Sequence, residues 1–190
     1  MALLDMREAT FARDSRRLAG PVDALLQEGE RVGLTFATEL EASLVALMAA
    51  GLVKATSGRI FVDEFNPRIQ PVQVKRVVGY VPYEAVPNEF ASFERYVEYR
   101  AALWDLPPDE TLSRAFDMLA LLDGVHEAFA YPLVGALLAR PRLLVLDRPQ
   151  SAYARSICSV SDGAAMFSTH RSPREACDFR EGCARGAAIA

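Results

Sequence analysis

The stretch Gly29-Glu30-Arg31-Val32-Gly33-Leu34-Thr35-Phe36-Ala37-Thr38-Glu39-Leu40-Glu41-Ala42-Ser43 changes its periodicity halfway along. Arg31 to Phe36 is a short apolar run of the kind that forms a buried strand. From Glu39 to about Ala50 the apolar residues Leu40, Leu44, Leu47 and Met48 recur at helical spacing, and Gly51 can end the helix in a left-handed conformation. Thr38-x-x-Glu41 reads as a capping box, in which each residue satisfies the other's backbone N–H. A strand that feeds a loop and then a helix is the opening unit of an α/β fold.

The same alternation continues outward. Further buried strands are expected at Arg59 to Phe65, Arg76 to Val81, Arg142 to Asp147 and Ala164 to Thr169. From Pro87 to about Arg140 strand signals give way to helical ones. Ser92 can cap a helix carrying Phe93, Tyr96, Val97, Arg100 and Leu103. Pro107-Pro108-Asp109 opens a second, with Leu112, Ala115, Phe116, Leu119 and Leu122 on one stripe. A third is expected to start near Pro132, which suits a first helical turn, and to run to Ala139. The order predicts an α/β core built from 1–86 and 141–190, carrying a helical subdomain at 87–140, all within one domain.

Composition narrows the class. With 190 residues, 51% of them apolar and 24% charged, the chain lies far from the disordered, collagen-like and disulfide-scaffold regimes. Its 21 Lys plus Arg against 25 Asp plus Glu give a net charge of -4, the wrong sign for a nucleic-acid partner. The cluster Arg13, Arg16 and Arg17, interleaved with Asp14, reads as a solvated loop. Cys158, Cys177 and Cys183 show no metal-ligand spacing with His126 or His170, so no metal is expected. The start carries no signal-peptide pattern, and the longest apolar run, Leu44 to Val53, is about half of what a membrane span needs. A cytoplasmic location follows as the expectation.

Several pieces in a fixed order carry a resemblance. They are Gly29 to Leu34, Ala50-Gly51-Leu52-Val53-Lys54-Ala55-Thr56-Ser57-Gly58-Arg59-Ile60, Val78-Gly79-Tyr80-Val81-Pro82, Ala136 through Leu143-Leu144-Val145-Leu146-Asp147, and Ser168-Thr169-His170. Over nearly its whole length the chain resembles the ATPase subunit of ABC transporters, and most of all those of exporters whose ATPase and permease are separate polypeptides. The resemblance implies a P-loop NTPase-like ABC ATPase core, a mixed sheet flanked by helices, with an inserted α-helical subdomain.

At the nucleotide-site positions the sequence departs from the family's pattern. Its phosphate loop reads GxxGxGK[ST], with glycines for close backbone approach and a Lys for the β/γ oxygens. The glycine positions hold Phe36, Glu39 and Glu41, the lysine position holds Ala42, and only Ser43 remains at the hydroxyl position that would touch Mg²⁺. Side chains at glycine positions obstruct the approach. Each carboxylate facing a polyanion is expected to cost on the order of a few kcal/mol. Arg13 stands at the adenine-stacking position and Tyr83 at that of the γ-phosphate-sensing glutamine. Asp147 matches the Walker B aspartate, but Arg148 follows it where the family has its general base, and an Arg cannot accept a proton. The signature Leu-Ser-Gly-Gly, expected about eighteen residues before Pro141, falls at Asp123-Gly124-Val125-His126. His170 sits at the switch-histidine position and reads either as that switch or as a structural residue at a strand end. Asp147 is expected to be held by Arg148 or by the Ser43 hydroxyl.

These departures, set on the resemblance, lead to an expectation of a pseudo-ATPase: no ATP or Mg²⁺ cofactor, no enzymatic activity of its own, and a structural or regulatory role in a membrane-associated transporter-like complex. The implied partners are a membrane permease subunit, a second ABC ATPase-like subunit, or both, which would hold the chain at the inner face of the membrane. A partner-binding groove is expected around Tyr83, Val86, Pro87 and Phe90. Phe93 and Trp104 read as groove residues or as the core of the helical subdomain. Two alternatives stay open: an ABC-fold protein-binding adaptor outside transport, and a weak ATP-binding exporter subunit completed by a partner.

Overall fold

The computed structural model describes residues 2–83, 90, 92–161 and 163–186. Its elements run β1 (Ala2–Arg13), β2 (Arg16–Gln27), β3 (Arg31–Thr35), α1 (Glu39–Ala49), β4 (Ser57–Val62), α2 (Pro71–Val77), β5 (Val78–Val81), α3 (Phe93–Leu103), α4 (Pro108–Leu121), α5 (Glu127–Leu137), β6 (Leu143–Asp147), α6 (Ala154–Val160), β7 (Ala165–His170) and α7 (Pro173–Gly186). A parallel sheet of order β3-β7-β6-β5 lies beside an antiparallel sheet of order β2-β1-β4.

β6 and β7 are buried along their whole length. Alternation divides their side chains between two cores. Leu143, Val145, Ala165 and Phe167 join β1, β2, β4 and α1 on one face. Leu144, Leu146 and Met166 join Phe93, Val97, Ala115, Leu133 and Val134 of α3, α4 and α5 on the other. Register pairs Thr35 with His170, Asp147 with Thr169, and Val81 with Leu146. The carboxyl ends of all four parallel strands therefore finish at one edge, where ligands of open α/β sheets bind.

The expected strand from Arg76 to Val81 is shorter than predicted. Pro71 opens α2 at a first-turn position, Lys75 and Arg76 lie in its last turn, and only Val78 onward is extended. The third subdomain helix starts before Pro132, not at it. His126 caps α5, its Nδ1 accepting the Ala128 N–H at 3.2 Å, and buried Ala130, Leu133 and Val134 carry the helix past the proline. Arg13, Arg16 and Arg17 do not form a loop. They end two long strands joined by Asp14 and Ser15, both left-handed, with φ of 51° and 61°. Repeated register shifts in β1 break the alternation that would have announced that hairpin.

Phe167 is fully buried in β7 at the centre of the first core. Phe167→Ala should lower stability by about 3–5 kcal/mol, read as a fall in the urea midpoint at unchanged slope.

Candidate functional site

Three segments converge at the carboxyl edge of the parallel sheet. In the first, β3 ends at Thr35 and α1 begins at Glu39, so helix occupies part of the span that a glycine-rich loop would fill. Thr38, extended at φ -126° and ψ 154°, caps it, and its Oγ1 accepts the Glu41 N–H at 3.1 Å. That is the first arm of the predicted capping box. Glu39 and Glu41 in the first turn suit the positive end of the helix dipole. Ala42 is fully buried, whereas Ser43 turns its hydroxyl towards the sheet end.

The second segment is the end of β6. Asp147 is 4% exposed and accepts a hydrogen bond from Thr169 Oγ1 at 3.3 Å. Arg148 follows with a left-handed backbone, φ 49°, which is uncommon outside glycine and re-aims the side chain. Its N–H donates to the same Thr169 hydroxyl at 3.3 Å. The guanidinium folds back into the site with three arms engaged. Nε donates to Asp147 Oδ1 at 3.1 Å, Nη2 to Ser43 Oγ at 3.1 Å, and Nη1 pairs with Glu39 Oε2 at 3.1 Å. Its side chain is 10% exposed. The third segment supplies Tyr83, whose ring centroid lies 3.8 Å from the guanidinium carbon, within cation–π range.

Of the two predicted holders of Asp147, Arg148 is the one that contacts it, and the Ser43 hydroxyl is spent on the same guanidinium. Beside this cluster lies a cavity of about 190 Å³ lined by Tyr83, His126, Phe129, Arg148, Gln150 and Tyr153. Glu41 belongs elsewhere, to a cavity of about 480 Å³ shared with Arg16, Arg17, Thr38 and Leu40. Phe36 is half-buried against the first core, and its N–H donates to the His170 carbonyl at 3.0 Å. Arg13 points outward towards Asp14.

His170 stands apart from the Arg148 cluster. It is 1% exposed, with Nε2 2.8 Å from Ser168 Oγ and its ring 5.5 Å from that of Phe179. Burial holds its pKa below the ordinary 6.5, partly offset by Glu175. In the expected groove, Phe90 packs on Tyr96 and Tyr99, with centroids at 5.5 and 5.2 Å, while Tyr83 is half-exposed. Val86 and Pro87 lie outside the described residues. Phe93 packs into the helical core against Phe116 and Tyr131.

The structure thus joins Glu39, Ser43, Tyr83, Asp147 and Arg148, and leaves out Phe36, Glu41, Ala42 and His170. Thr169, which holds both Asp147 and the Arg148 backbone, escaped the sequence reading, although it lies inside the quoted Ser168-Thr169-His170. Arg171, which donates to the Ala37 carbonyl, carries no signal in sequence at all. The cluster sets one delocalised cation and the Ser43 hydroxyl against two carboxylates, of which Asp147 is buried and Glu39 exposed.

This is the fold of an ABC-transporter ATPase cassette. The chain aligns with cbiO1 from Clostridium perfringens, described as part of the ABC transporter complex cbiONQ, at a TM-score of 0.73 and 18% identity, covering 94% of this chain and 82% of that one. It aligns with the dimeric cassette MJ0796, solved in a post-hydrolysis state bound to ADP and Pi, at 0.70 and 15%, covering 92% and 90%. By sequence it is 25% identical over 166 residues to the lipopolysaccharide export system ATP-binding protein LptB of Escherichia coli, spanning 78% of this chain and 68% of that protein. No family model matches the chain. Its relatives are ATP-binding subunits of ABC transporters.

That relationship overturns two expectations, the absence of an ATP or Mg²⁺ cofactor and the absence of enzymatic character. Both rested on the residues of the loop, above all on Ala42 in place of lysine. The relatives are named ATP-binding proteins, and the structurally similar MJ0796 carries hydrolysis products. Arg148, which follows β6, brings a guanidinium to Ser43 of α1, next to Ala42. Among the described residues no helix is long and apolar enough to cross a membrane.

Two outcomes follow. Arg148→Met should lower stability by about 3–5 kcal/mol in urea, because Asp147 is left as a buried carboxylate without its partner. Adding Asp147→Asn should recover part of the loss. The second concerns His170. The unfolded chain takes up a proton near pH 6.5 and the folded one only at lower pH, so the unfolded state binds more protons between the two values. Stability from the neutral imidazole is complete above pH 6.5 and declines as pH falls below it. Urea midpoints at about pH 7.5 and about pH 5.5 should differ less in His170→Gln than in wild type.

Proposed function

We propose that the chain is an ATP-binding cassette subunit, altered at its phosphate loop, with a structural or regulatory role in a membrane-associated transporter-like complex. The observation that carries this reading is the Arg148 guanidinium set between Ser43, Asp147 and Glu39 at the carboxyl edge of a cassette-type sheet. A loop without glycines can still serve a nucleotide if the charge comes from another element, and a differently built site suits a subunit that responds to nucleotide within an assembly. The partners of this reading are a permease subunit, a second cassette, or both, in line with cbiO1 as part of a transporter complex and MJ0796 as a dimer. Such partners would hold the chain at the cytoplasmic face of a membrane.

Within this reading 1–86 and 141–190 act as the core and 87–140 as the helical subdomain. The half-exposed Tyr83 and Phe90 lie where the two meet and offer aromatic contact area to a partner. Tyr83 also stacks on Arg148, so a partner seated there would touch the nucleotide site directly.

Thermal unfolding with and without ATP tests the reading. A ligand at about ten times its dissociation constant adds about 1.4 kcal/mol, which should appear as a rise of several degrees in Tm that keeps growing with the logarithm of the ATP concentration. No rise at concentrations up to about 10 mM refutes it.

A further inference from the structure

Arg148 makes three polar contacts that differ in how far they are withdrawn from water. Asp147 is 4% exposed, Ser43 is half-buried, and Glu39 is 67% exposed. The first two hold the guanidinium in place. The third is a carboxylate at the outer end of α1, set against one arm of the fork. A pair with one partner so exposed contributes little net stability, because water competes for the carboxylate and the long side chain loses freedom in holding one geometry. Exchange of Glu39 for another anion is therefore inexpensive, while the inner contacts keep the cation from following it out.

The guanidinium is also prepared for such an exchange. Tyr83 stacks on it and Asp147 fixes Nε, so its plane is set before any ligand arrives. It also borders the cavity of about 190 Å³ lined with Tyr83 and His126. A phosphate carries more charge than a carboxylate and can take the Nη1 arm that Glu39 leaves, so it competes with a single exposed Glu.

From this arrangement we infer that Arg148, on the end of β6, is the residue that binds the nucleotide's phosphate in this chain, and that Glu39 occupies the same arm until the phosphate displaces it. The inference rests on the nucleotide-binding reading above and adds where the cation comes from and what it releases. Nucleotide binding thereby becomes coupled to α1: loss of the Glu39 contact frees the first turn of the helix from the end of β6.

Calorimetric titration with ATP of the full chain and three variants tests it. Wild type should bind saturably. Arg148→Met, shown to be folded by circular dichroism, should bind at least tenfold more weakly. Glu39→Gln should bind severalfold more tightly, because it removes the competitor. Glu41→Gln makes the same charge change one half-turn away without touching Arg148, so it should tighten binding clearly less. Binding by wild type that folded Arg148→Met retains overturns the role of Arg148 and leaves the nucleotide reading standing. Equal gains from Glu39→Gln and Glu41→Gln overturn the exchange, since general charge would then explain both. If Arg148→Met does not fold, the two glutamate variants decide. Absence of binding by wild type and by Glu39→Gln overturns the nucleotide reading and this inference together.

Discussion

A single guanidinium, buried to nine-tenths, ties the carboxyl edge of the sheet together. Arg148 contacts the end of β6 through Asp147, the first turns of α1 through Ser43 and Glu39, and the segment after β5 through Tyr83. A buried charge is tolerable only when its donors are satisfied, and here three arms find acceptors while the π-face of Tyr83 receives the cation. The left-handed backbone at Arg148 is the local strain that turns the side chain inward, and Thr169 secures that turn through its hydroxyl. Removing Asp147 or Arg148 leaves the other as a buried charge without its counterpart, whereas Glu39 stands at the exposed rim of the cluster.

Around this point the fold supplies rigidity rather than chemistry. β6 and β7 bring Asp147 and Thr169 to neighbouring positions, and β3 ends opposite His170. The His170 ring turns towards Ser168 and Phe179, and α7 packs over it; in this arrangement the imidazole supports the sheet end rather than the polar cluster. Gly33 fits the same constraint, since a Cβ there would come within 3.2 Å of both the His170 ring and the Ser168 hydroxyl.

Much of this was legible in the sequence, for physical reasons that differ by element. The parallel strands were visible because burial on both faces makes them continuous apolar runs, and α1 and α3 because Thr38 and Ser92 stand at their caps. The β1–β2 hairpin was not, because its register shifts destroy the two-residue period and its arginines imitate a loop. α5 was misplaced by Pro132, whose usual place at a helix start is overridden by burial on both sides. At the site, residue identities at aligned positions were readable, and the likeness to ATP-binding proteins corrected what had been concluded from them. Position-by-position reading asks whether Ala42 can do a lysine's work. It cannot see that a residue 105 positions after Ser43 reaches the Ser43 hydroxyl, since that depends on a left-handed turn after β6.

The polar end of β6 also has a bearing on how the sheet is assembled. A strand with one wet face is kept in register by its own alternation, because a one-residue slip would put apolar groups in water. β6 is apolar on both faces from Leu143 to Leu146, and β7 is buried on both as well, so a slip between them would exchange one set of buried side chains for another. Asp147 breaks that degeneracy. In the observed register its carboxylate stands opposite Thr169 and accepts from that hydroxyl, and the adjoining guanidinium reaches Ser43 from there. The charged corner is therefore one index mark of the sheet, favouring the observed alignment over others that the apolar core would also accept.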